Sequence, residues 1–168
     1  GLLYPQKETK VIAIIKQFYH KYYADQDFRT LIFGINPGRF GAGVTGINFT
    51  APRQLKENCD IEHPFKDQSE LSAEFIYKLI DQYGGCKKFY SRFFISAVCP
   101  LGFIKNGKNI NYYDNKLLQK AVTPFILKCT NEQLKWTVNH EKCFCVGEGK
   151  FRLFERWKRQ RLCEGRRN

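Results

Sequence analysis

Hydrophobic residues fall along this chain in two alternating rhythms. Val11, Ile14, Ile15, Phe18 and Tyr22 recur at helical spacing, which predicts an amphipathic helix over residues 11–23. Residues 29–35, RTLIFGI, are a short unbroken apolar run that reads as a buried strand and leads into the turn residues Asn36-Pro37-Gly38. A second helix is predicted over residues 67–82, with Leu71, Phe75, Ile76, Leu79 and Ile80 as its buried stripe and Gly84-Gly85 as its stop. Residues 92–98, RFFISAV, read as another buried strand, halted by Cys99-Pro100. Asn106-Gly107 marks a turn, and Asp114 is placed to cap a helix reaching about Cys129, with Pro124 as a kink or break inside it. Residues 142–146, KCFCV, predict a third buried strand, and a basic helix with Phe151, Phe154 and Trp157 on its apolar side is expected after Gly147.

Buried strands alternating with helices indicate an α/β domain with a mainly parallel sheet. Ligands of such sheets sit beyond the carboxyl ends of the strands, so the informative loops follow Ile35, Val98 and Val146. The 168 residues suit one domain, residues 1–168, and no repeat or linker interrupts them.

Composition narrows the class. The chain carries 28 Lys plus Arg against 16 Asp plus Glu, a net charge of +12. Seven of the basic residues lie in residues 151–168 against Glu155 and Glu164, leaving that stretch at +5. Such an excess favours a polyanionic partner, nucleic acid above all. No apolar run approaches the ~18 residues needed to span a bilayer, and residues 1–10 lack a signal-peptide core. The seven cysteines are odd in number, scattered and without a C-x-x-C pair, which fits reduced thiols in an intracellular protein and no metal site.

The densest signal is GINPGRFGAGVTGINFT, residues 34–50. Its composition alone fits a glycine-rich connection that merely turns, and neither G-x-G-x-x-G nor G-x-x-x-x-G-K-[ST] is present to make it a phosphate cradle. The order of GINPG, Phe40-Gly41, Thr45-Gly46 and Phe49 resembles the first motif of the uracil-DNA glycosylase superfamily. Within it, the pattern is similar to the single-strand-selective monofunctional branch and its bacterial second subgroup. Residues 93–103, FFISAVCPLGF, are similar to that family's segment ending in C-P-L, and Asn111-Tyr112-Tyr113-Asp114 and residues 146–150, VGEGK, also match in place.

The resemblance implies a three-layer α/β/α sandwich and a monofunctional glycosylase of base excision repair. Such an enzyme hydrolyses the N-glycosidic bond of uracil or another deaminated base in DNA and leaves an abasic site. It works as a monomer in the cytoplasm, without metal or organic cofactor. Asn36 takes the catalytic role of orienting water, while Gly34, Ile35, Pro37 and Gly38 form the turn that presents backbone donors to the base. Phe49 takes the stacking position against a flipped base, and Phe40 walls the pocket. Arg39, Arg53 and Lys150 are candidates for the DNA backbone, Lys150 at a helix N-terminus. No lysine is placed to form a Schiff base, so no lyase step is expected.

Two departures matter. The family's base-reading Asn aligns with Ala97, which cannot hydrogen-bond a base edge; Ser96 or the backbone near Val98 would have to substitute, shifting selectivity towards other deaminated bases such as hypoxanthine or xanthine. The family's late His-Pro segment is also missing. His20, His63 and His140 precede its expected place, and His63-Pro64 reads as a loop. With no Met in the chain, this predicts a piece of a longer protein, cut at the C-terminal end. The alternative is a non-catalytic nucleic-acid-binding domain of the same fold.

Overall fold

The structure is a computed structural model that describes residues 1–136 and 138–146. Lys150, Cys163 and the basic helix expected after Gly147 lie outside the described residues, as does the side chain of His140. In chain order the elements are β1 (Leu2–Leu3), a 3-10 turn (Pro5–Lys7), α1 (Thr9–Tyr23), β2 (Arg29–Gly34), α2 (Ala42–Thr45), α3 (Pro52–Glu57), α4 (Leu71–Tyr83), α5 (Cys86–Tyr90), β3 (Phe93–Ala97), β4 (Gly102–Lys105), β5 (Lys108–Ile110), α6 (Lys116–Gln133) and β6 (Val138–Cys145).

The central sheet has the order β3-β2-β6, and both pairings are parallel. Side chains alternate across its faces, as the period of a strand requires. Ile32 and Ile95 join one apolar core with Ile14 and Phe18 of α1 and Ile76 and Ile80 of α4. Leu31, Phe33 and Phe94 join the other, with Ile126 of α6 and Leu134. Helices therefore cover both faces, giving the expected α/β/α sandwich. A buried Arg29 opens β2; it donates to Tyr90 O at 2.6 Å and to both carboxylate oxygens of Asp25 at 2.7 and 2.8 Å. This bidentate pair satisfies a charge that burial alone would penalise.

A second, antiparallel sheet, β1-β4-β5, is not anticipated by the hydrophobic pattern beyond its Asn106-Gly107 turn. The phase of α4 also differs from expectation. It starts at Leu71 rather than at residue 67, and it buries Ala73, Ile76, Tyr77 and Ile80, leaving Leu71 84%, Phe75 62% and Leu79 43% exposed. The helix is rotated so that Tyr77 enters the core, where its hydroxyl meets those of Thr50 and Tyr90 at 3.0 and 3.1 Å. Helix α6 is capped by Asn115, whose side chain accepts from Leu118 N at 3.0 Å, not by Asp114, which binds Asn111 N instead. It continues unbroken through Pro124 to Gln133, and Thr123 Oγ1 donates to Gln119 O in the turn beside the proline. The third strand begins at Val138, earlier than expected, and joins β2 through an irregular register between Arg29 and Leu31. Among the described residues no helix is long and apolar enough to cross a membrane.

Candidate active site

A cavity of about 270 Å³ opens where the pattern of strands places it, beyond the carboxyl ends of β2 and β3. Its floor is the turn Gly34-Ile35-Asn36-Pro37-Gly38, and Phe49, Ala97 and Val146 complete its apolar side. The space exists because two small residues meet there. Gly34 and Ala97 are paired across β2 and β3 on one face of the sheet, and the Phe49 ring lies directly on Gly34. A Cβ on Gly34 would stand 2.6 Å from Cε2 of that ring.

Phe49 is held by the short loop after α2. Thr45, fully buried, donates from Oγ1 to Thr50 O at 2.6 Å and accepts from Ile47 N at 3.1 Å. The loop so closed carries Phe49 at φ 54°, a backbone state that a bulky residue adopts only where its surroundings impose it.

The Asn36 amide is fixed at both ends. Its Nδ2 donates to Ile110 O at 3.4 Å, and its Oδ1 accepts from Tyr112 N at 3.3 Å. The segment that follows β5 thus orients the side chain, and Oδ1 retains a second lone pair for a water.

A carboxylate that the sequence did not single out shares the cavity. Glu70 precedes the first residue of α4 and folds over the glycine turn. Its carboxyl accepts from Ser72 Oγ at 3.1 Å and from the backbone N–H groups of Phe40 and Gly41. Burial pushes its pKa above the usual 4.5, and those three donors pull partly the other way. A Cβ on Gly38 or Gly41 would fall 2.4 or 2.2 Å from the Glu70 oxygens, so both glycines are places of close approach. Asn48, Asn109 and Asn111 add amides to the cavity wall.

Other expected residues lie elsewhere. Phe40 does not line the cavity; it is 40% exposed, with the Arg39 guanidinium 4.2 Å above its ring. Ser96 points to the opposite face of the sheet, where its hydroxyl donates to Gln133 Oε1. Val98 is also turned away, in the core beneath α6, and its backbone N–H is already given to Gly34 O at 3.0 Å. The neighbouring Cys99 N–H is likewise committed, to Ile35 O at 3.0 Å, so neither backbone donor is left to read a base. Arg53 is half-buried and paired with Asp67 at 3.3 Å, away from the cavity. His63 is a loop residue, as expected: its Nε2 meets Pro52 O at 2.7 Å and its Nδ1 accepts from Phe65 N at 3.2 Å. Arg39 is at the rim, where its backbone N–H donates to Asn109 Oδ1 at 3.0 Å.

Two comparisons bear on this site. The family model described as the uracil DNA glycosylase superfamily matches residues 20–166. The crystal structure of wild-type Pedobacter heparinus SMUG2 superimposes with a TM-score of 0.86 at 41% sequence identity, over 96% of this chain and 71% of that one.

Proposed function

The chain belongs to the uracil DNA glycosylase superfamily, and from that premise we propose that it is a monofunctional DNA glycosylase acting on uracil or another deaminated base. The observation that carries the reading is the Asn36 amide, anchored by Ile110 and Tyr112 in a cavity that the Phe49 ring also lines. A base turned out of the helix stacks on Phe49, and its carbonyl faces the backbone N–H groups of the Gly34–Gly38 turn. Asn36 Oδ1 accepts a hydrogen bond from a water and directs its oxygen at the sugar C1′. As the C1′–N bond breaks, its electron pair leaves with the base, and the water oxygen bonds to C1′ and releases a proton. The N–H donors stabilise the negative charge gathering on the base carbonyl. With Ala97 unable to read a base edge, that task falls to the amides of Asn48, Asn109 and Asn111, which supports a range extending to hypoxanthine or xanthine.

The test is incubation with single- and double-stranded oligonucleotides carrying one uracil, hypoxanthine or xanthine, followed by alkali. A strand break at the altered base is expected with alkali and none without it. No break with any substrate overturns the enzymatic reading in favour of a binding domain, and breakage without alkali overturns the monofunctional one.

A further inference from the structure

The tip of the β4–β5 hairpin has no part in the chemistry above, yet it carries an arrangement that costs stability. Lys105 and Lys108 are directly opposed across the strands, both exposed, at the two ends of the Asn106-Gly107 turn. Like charges so opposed repel. A third cation is brought to the same tip: the Arg39 guanidinium donates to Gly107 O. Among the described residues no carboxylate forms an ion pair with any of the three.

The tip is also registered to the cavity. Asn106 and Gly107 both have positive φ, 49° and 68°, the combination that matches a two-residue turn to the twist of its strands. Asn109 binds the Arg39 backbone, and Ile110, two residues beyond Lys108, holds Asn36. At the rise of a strand those two residues span about 7 Å, so the cations stand about one nucleotide from the cavity floor.

We propose that Lys105, Lys108 and Arg39 form a docking surface for the phosphodiester backbone of the DNA strand whose base enters the cavity. The proposal rests on the glycosylase reading for its choice of partner. A polyanion supplies the opposite charge that the described residues do not bring to this tip, and the turn sets the distance between the gripped phosphates and Asn36.

The test is binding of a fluorescent single-stranded oligonucleotide with no altered base, followed by anisotropy over a range of salt concentrations. Lys105→Gln/Lys108→Gln should flatten the slope of log affinity against log salt by about 1.4, that is ~0.7 for each phosphate no longer neutralised. Counterion release of that size makes binding roughly tenfold weaker at physiological salt. Lys87→Gln/Lys88→Gln, at the two exposed lysines of α5 at the other end of the strands, removes the same charge and should leave the slope nearly unchanged. Lys108→Glu converts the repulsive pair into an attractive one, so it should raise the melting temperature while weakening binding. The proposal is overturned if the hairpin variants bind like the original, if both double variants weaken binding equally, or if the unaltered protein does not bind the strand. Hairpin-dependent binding without base release would instead leave this surface standing and remove the catalytic reading.

Discussion

Replacing Gly34 with alanine tests how the cavity is built. The new Cβ would lie 2.6 Å from Phe49 Cε2 and 2.7 Å from Cζ, separations that ordinary packing does not allow. Gly34 is buried at the end of β2, so the ring must move and the backbone has little freedom to yield. Overpacking of this kind costs about 1–3 kcal/mol. For a chain of 168 residues each kcal/mol moves the melting temperature by about 2–4 °C, so a fall of about 2–12 °C is expected. The clash, not the backbone, should be responsible. Gly34 is not among the positive-φ glycines, and where the backbone is permissive a glycine-to-alanine change stabilises by about 0.4–1 kcal/mol. In a Phe49→Leu background, which removes the offending ring atoms, Gly34→Ala should therefore be neutral or slightly stabilising. Thermal unfolding of the four proteins measures this coupling, expected to exceed about 1 kcal/mol, and single-turnover base release follows the same cycle. Equal melting temperatures for the original and Gly34→Ala, with equal rates, would refute the claim that Phe49 and Gly34 define the wall together.

Three further outcomes follow from the same structure. Because burial raises the Glu70 pKa, its contribution to stability is full below about pH 4.5 and is lost as the pH rises through the raised value; Glu70→Gln should remove that limb from a plot of melting temperature against pH. Asp25 shows the opposite sign: the hydrogen bonds from Arg29, then the Asp27 N–H, lower its pKa from 3.8 to about 2. Its stabilisation is present above 3.8 and lost as the pH falls through about 2, a loss that Asp25→Asn should not show in acid unfolding. Asn115→Ala should lower stability by about 1 kcal/mol in denaturant unfolding, since it removes the α6 cap to Leu118 N.

The parts of the site that could be read from the sequence are those built by neighbours in the chain. Gly34, Asn36, Pro37, Gly38 and Phe49 fall within one continuous segment, and all of them line the cavity. Glu70 was not legible because its importance arises from its approach to Gly38 and Gly41, some thirty residues earlier, and a lone acid before a helix carries no such mark. Strand alternation accounts for the placement of Ser96 and Val98: Ala97 lines the cavity with Phe49, so its two neighbours face α6. In α4, Leu71, Phe75 and Leu79 satisfy a helical period as well as the buried residues do; on the face that turns inward Ile76 and Ile80 pack in the core and the Tyr77 hydroxyl adds hydrogen bonds to Thr50 and Tyr90. The strands β4 and β5 are four and three residues long, too short for an alternating pattern to stand out around their legible Asn-Gly turn.

In the proposed mechanism Asn36 directs the water that releases the base. Single-turnover base release by the original protein and by Asn36→Ala, with oligonucleotide binding measured in parallel, tests it most directly. A rate lower by orders of magnitude is expected in the variant, with affinity for DNA little changed. Equal rates in the two proteins would contradict it.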